Sequence, residues 1–167
     1  MRGRKSQELA VMGLFAAVLF AGQVALASVP NVEIVSLLVI LYTLALGRRV
    51  LFVIYTFVLL EGIFYGFGIW WVSYLYVWPL LALVTLAFRR VDSLLFFSIL
   101  SGFFGLFFGA LCAIPYLFAG GAAAAFAYWI SGLPFDLIHC GGNFAVCLVL
   151  YKPLRRVIGR LTSGLRV

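Results

Sequence analysis

The chain has 167 residues, of which 66% are hydrophobic and 10% charged, and its mean hydropathy is +1.20. Soluble domains are about 45–50% apolar and about 25% charged, so composition excludes a soluble globular domain, a disordered tail and a disulfide scaffold and points to an integral membrane protein. A membrane span takes about 20 residues; the length suffices for about six or seven, with nothing left for a soluble domain. The P-loop pattern G-x-x-x-x-G-K-[ST] is missing, so the chain shows no sign of hydrolysing ATP by itself.

The formal net charge is +7, from 12 Lys and Arg against 5 Asp and Glu. In a soluble protein this excess would suggest nucleic acid. Here the basic residues form four clusters: Arg2, Arg4 and Lys5; Arg48 and Arg49; Arg89 and Arg90; and Lys152, Arg155, Arg156, Arg160 and Arg166. The stretches between them, 6–47, 50–88 and 91–151, hold 42, 39 and 61 residues. Basic residues flanking spans stay in the cytoplasm, so each stretch holds an even number of spans. Two fit in each, which predicts an all-α bundle of six transmembrane helices, with both termini cytoplasmic and a single membrane domain over 1–167. The charge is a topology signal, and no nucleic-acid partner is expected.

In chain order, the predicted spans are 8–28, 34–47, 50–66, 72–88, 94–115 and 134–151. The basic start followed by an apolar run resembles a signal peptide, but the run is long and Pro30-Asn31 turns it straight into another span, so it reads as an uncleaved first helix. The second and third spans are short for about 30 Å of hydrocarbon, and short segments at that depth must face protein or a cavity. Gly66 and Gly68 allow the next outer turn. Residues 116–133, rich in Ala and Gly, form a spare external segment: an amphipathic or re-entrant element, or a lid.

Two stripes of small residues stand out. Gly13, Ala17, Ala21 and Ala25 recur every four residues on the first helix, and Ser101, Gly105, Gly109 and Ala113 do so on the fifth. This spacing keeps each set on one helix face, where small side chains allow another helix to approach closely in lipid. The first stripe fits internal packing or docking to another subunit, and the second fits internal packing better. Cys112, Cys140 and Cys147 lie in apolar segments without a C-x-x-C pair. They read as apolar fillers, with no zinc site, disulfide framework or cofactor expected.

Few polar residues remain for function. Glu8 and Asp92 lie beside basic clusters, and Glu33 lies in the first outer turn. Glu61, twelve residues beyond Arg49, lies about 18 Å along a helix, and Asp136, sixteen before Lys152, lies about 24 Å from the inner end. Ionisable groups at such depth are costly and usually face a cavity or a partner. Asp136, His139 and Asn143 share one face of the last helix through spacings of three and four. They suit the wall of a polar-tipped binding site, or a general-base pair in which Asp136 orients His139. No Ser, Cys or metal cluster completes an enzyme constellation, so the chain is expected not to be an enzyme. A membrane-embedded enzyme using His139 and Asp136, or a structural membrane subunit, remain the alternatives. Trp70, Trp71, Trp78 and Trp129, with Tyr65, Tyr74, Tyr76, Tyr116 and Tyr128, fall on the predicted outer side. They divide between an interfacial belt and the wall of a small-molecule pocket.

The layout resembles a substrate-binding S component of the energy-coupling factor (ECF) vitamin transporters. The resemblance spans the whole chain and rests on its size, six spans with termini inside, the Ala-x-x-x-Ala stripe of Ala17, Ala21 and Ala25, the outer V-P-N-V-E at 29–33, and a glycine-rich, aromatic outer half. It implies high-affinity binding of a vitamin or related micronutrient from outside the cell membrane of a prokaryote. It also implies partnership with a membrane T component and two cytoplasmic ATPase subunits, and transport by tilting of the whole subunit in the bilayer. On this resemblance the stripe, including Gly13, is the T-component docking face. The ligand is expected between the outer ends of helices four to six and the loop after helix one, near Asn31, Glu33, Trp70, Trp71, Tyr74, Trp78, Trp129, Asp136, His139 and Asn143. Glu61 joins this set on the argument from depth. The aromatics favour a large flat ring system. Acids without nearby Lys or Arg disfavour a ligand with several carboxylates or phosphates. A corrinoid such as cobalamin, a deazapurine queuosine precursor or another neutral heterocycle fits best.

Overall fold

The computed structural model describes the backbone of residues 2–29 and 32–164 and the side chains of 6–29 and 32–164. Among the described residues the fold is all-helical. It comprises α1 (Arg2–Leu26), α2 (Val35–Leu46), a 3-10 turn (Gly47–Arg49), α3 (Val50–Tyr65), α4 (Ile69–Ala87), α5 (Leu94–Cys112) and α6 (Ile114–Thr162). Five helical stretches are long and apolar enough to cross a membrane, one of them the 31-residue Val35–Tyr65 that joins α2 to α3.

The helices alternate in direction. Arg49 pairs with Glu8, tying the start of α3 to the start of α1, and Phe20 meets Phe64 at the opposite end of the same two helices, with ring centroids 5.4 Å apart. Descending α4 is pinned to α3 by Trp71 Nε1–H donating to the Val58 carbonyl at 2.9 Å. At the top of α5 the Tyr76 hydroxyl donates to the Leu111 carbonyl at 2.6 Å. At the bottom Arg155 donates to Asp92. The basic residues with described side chains therefore gather at one end of the bundle.

Helix α2 is the centre. Every residue from Val35 to Thr43 is buried, and α2 touches all five other helices. Its 12 residues span only about 18 Å, and protein on every side supplies the surroundings that so short a segment needs in a bilayer. Helix α3 is different: Phe52 and Ile63 are 69% and 66% exposed, as side chains facing lipid would be. Phe15, stacked on Tyr42 at 4.1 Å, with Ala16 and Leu19, forms the inward face of α1. The buried hydroxyls of Thr43, Thr85 and Ser98 donate to carbonyls four residues back on their own helices, which satisfies them without a tertiary partner.

Gly66 closes α3 with φ of 85°, a conformation that favours glycine, in the turn expected there. The segment 116–133, expected as an element separate from the last span, is helical and continues into it. Gly121, with φ of 77° and ψ of −178°, kinks α6 into a short helix before it and a long helix after it. The apolar run and the good helix formers after Gly121 continue past Pro134, which sacrifices one backbone donor without ending the helix. The last helix therefore starts far above residue 134.

Candidate functional site

The end of the bundle away from the basic clusters holds a cavity of about 450 Å³. The loop after α1 contributes Ala27, Val29, Val32 and Glu33, α4 contributes Tyr74 and Trp78, and α5 contributes Phe108 and Gly109. From α6 come Tyr128, Ser131, Phe135, Asp136 and His139.

The polar side of this cavity is a linked set of hydrogen bonds. Glu33 accepts the Ser36 backbone N–H at 2.8 Å on one carboxylate oxygen, and its other oxygen lies 3.3 Å from His139 Nε2. Asn143 Nδ2 donates to Ser36 Oγ at 3.1 Å. The start of α2 is thus clamped to one face of α6 by residues 106 and 107 apart in sequence. Burial by itself would raise the Glu33 carboxyl; its bonds and charge interaction with His139, and its bonds to Ser36, outweigh this and hold it below its ordinary value of 4.5.

Asp136 is arranged differently. Its Oδ1 accepts the Gly109 N–H at 3.0 Å, while Oδ2 has no partner among the described residues. The contact exists because position 109 is glycine, since a Cβ there would collide with both Asp136 carboxylate oxygens, Oδ2 the nearer. Gly105, one turn earlier, lets α5 meet the α6 backbone: a Cβ there would lie 2.8 Å from the His139 carbonyl oxygen. The second small stripe is therefore an internal helix–helix seam. Asp136 does not hydrogen-bond His139, so the base-and-orienter pair of the alternative reading is not formed and Glu33 holds the imidazole instead.

The aromatic wall centres on Trp78, which is 2% exposed and packs against Tyr74 at 5.4 Å and Phe108 at 5.7 Å between centroids. Its Nε1–H has no partner among the described residues. Phe108 in turn meets the His139 ring edge-to-face at 5.1 Å.

Of the residues expected near a ligand, Glu33, Tyr74, Trp78, Asp136 and His139 share the cavity wall. Asn143 lies one turn below His139, buried and bonded to Ser36. Trp70 stands behind the wall, edge-on to Tyr74 at 5.2 Å. Trp71 is occupied in joining α3 and α4. Trp129 packs on Phe126 at 6.3 Å, away from the cavity. Glu61 is 2% exposed and does not line the cavity; it is on α3, one turn above Phe57, whose ring faces Tyr74, and its Oε1 has no partner among the described residues. Depth correctly marked Glu61 as buried, but depth carries no information about direction around the helix. Asn31 lies outside the described residues.

Gln23, Phe108, Ser131 and Phe135 line the cavity without having been expected there, and Tyr128, one of the outer aromatics divided between belt and pocket, lines it too. Positions 128, 131, 135 and 139 follow helical spacing, so this face is readable once 116–133 is taken as helix.

Gly13, Ala17, Ala21 and Ala25 are all exposed on α1, and nothing lies within 4 Å of a Cβ built on Gly13. Of the two roles open to this stripe, internal packing is absent among the described residues. No metal-ligating group of three or more His, Cys, Asp or Glu occurs among them either. No family model matches the chain, and neither does any curated protein or solved structure.

Proposed function

We propose that this chain is a substrate-binding membrane subunit of the ECF S-component type, taking up a vitamin or related micronutrient from outside a prokaryotic cell. The observation that carries this reading is the cavity at the end opposite the basic clusters, walled by Tyr74, Trp78 and Phe108 and tipped by Glu33, Asp136 and His139. A largely apolar wall with a few convergent polar groups is what a small-molecule site needs, and about 450 Å³ falls within the usual range of about 300–1,000 Å³. A volume of this size suits a neutral heterocycle.

In this reading the chain crosses the membrane six times with both termini inside, since basic flanks stay cytoplasmic and the helices alternate. The outward-facing stripe on α1 supports docking to a membrane T component, because small residues permit close helix contact in lipid. Two cytoplasmic ATPases working through that component supply the energy for which this chain carries no P-loop.

The test is mass spectrometry of small molecules retained by the purified protein. A flat heterocycle in near-stoichiometric amount is expected. An empty protein that also binds no vitamin from a broad panel would sink the proposal.

A further inference from the structure

The cavity offers more than a volume, because two of its buried polar groups are unmatched. Among the described residues, Asp136 Oδ2 and Trp78 Nε1–H lack partners, although the residues are only 4% and 2% exposed. Buried polar groups are nearly always hydrogen-bonded, and the exceptions need an explanation. Elsewhere on the wall, both Glu33 oxygens have partners, and Ser131 Oγ donates to the Tyr128 carbonyl at 2.9 Å. The cavity lining contains neither Lys nor Arg.

We infer that the ligand is an amino-substituted, nitrogen-rich aromatic heterocycle of about two fused rings, presenting an N–H edge to Asp136 and a ring acceptor to the Trp78 N–H. A carboxylate oxygen accepts only, and an indole N–H donates only, so the pair calls for a donor and an acceptor on one ligand. Tyr74, Trp78 and Phe108 supply faces and edges for a flat ring. A ligand whose buried part is a carboxylate or phosphate would face Asp136 and Glu33 with no Lys or Arg in the lining to offset them, His139 being held by Glu33. The inference rests on the cavity being a ligand site, as proposed above, and its test separates the two.

The experiment titrates the purified protein with matched pairs, adenine against purine and 2-aminobenzimidazole against benzimidazole, following tryptophan fluorescence, with 2-naphthoate as the flat carboxylate control. In the wild-type protein the aminated member of each pair binds about tenfold or more tightly, the effect expected of a hydrogen bond to a charged group. Asp136→Asn keeps an acceptor for the Gly109 N–H and puts an NH2 in place of Oδ2, so it abolishes that preference; Trp78→Phe weakens both members of a pair. Equal binding within both pairs, tighter binding of 2-naphthoate, or a preference untouched by Asp136→Asn overturns the N–H edge while leaving the cavity as a binding site. So does a carboxylated or phosphorylated compound retained through purification. If none of the compounds binds and nothing is retained, the binding-site reading fails and this inference with it. The wild-type comparison stands even if Asp136→Asn does not fold.

Discussion

His139 Nε2 lies 3.3 Å from Glu33 Oε1, and this contact joins the loop before α2 to the middle of α6 in the wall of the cavity. The two residues are 106 positions apart. Glu33 also receives the Ser36 N–H, one of the donors that a helix start leaves without an intrahelical partner. A single carboxylate thus stabilises the start of the central helix and orients the imidazole on the cavity wall.

Replacing Glu33 with Ala should lower stability by about 1–3 kcal/mol, the cost of leaving a buried partner unsatisfied. The measurement is the thermal midpoint in detergent. Acid should mimic the change. The Glu33 carboxyl is held below 4.5 in the folded protein, so its stabilisation is complete above 4.5 and is lost as pH falls through the lowered folded value. Glu33→Gln should flatten the acid limb of the stability curve. An unchanged midpoint in Glu33→Ala would show that the contact with His139 does not hold the loop.

The two small stripes should respond oppositely to bulk. Gly105 lies against the His139 carbonyl, so Gly105→Leu overpacks the α5–α6 seam and should cost about 1–3 kcal/mol or more. Gly13 has open space around it, and Gly13→Leu should change stability by less than about 0.5 kcal/mol, as exposed substitutions do. Paired thermal melts decide the matter; equal losses would contradict the seam.

Ala17→Trp or Ala21→Trp should block uptake while leaving ligand binding and the thermal midpoint at wild-type levels. Both alanines face outward, and a bulky side chain there keeps a partner helix at a distance. Wild-type transport by these variants would remove the docking role of the stripe.

Topology is open to labelling. Cysteine placed at Arg90 or Ser163 should react with a membrane-impermeant maleimide only in inside-out vesicles, and cysteine at Gly68 only in intact cells. All three positions are exposed, and the native cysteines serve as the background control. Arg90 and Gly68 reacting from the same side would contradict the alternating helices.

Much of this architecture was present in the one-dimensional pattern. The clusters of basic residues foretold one end of the bundle, where those with described side chains gather, because charge is expelled from hydrocarbon and leaves its imprint on the chain. The spacing of Asp136, His139 and Asn143 placed them on one face, and all three are buried. The missed boundary at 116–133 had a local cause: the segment is rich in Ala and Gly, yet only Gly121 departs from helix. In an apolar segment the backbone has few alternatives to its own hydrogen bonds, so propensity yields to that demand.

Pairing could not be read in the same way. Which aromatic faces the cavity depends on rotation about each helix axis, and α3 and α4 are apolar on every side. Trp78 and Tyr74 therefore separate from Trp71 and Trp129 only when neighbouring helices are in place. The same holds for the acids: Glu61 and Asp136 had equal claims from depth, but only Asp136 lines the cavity. Composition, charge order and helical spacing by themselves determined a helical membrane protein, the order of its segments and its polar face. The tertiary structure decided which residues share a cavity and which stripe is internal, because those depend on contacts between segments far apart in the chain.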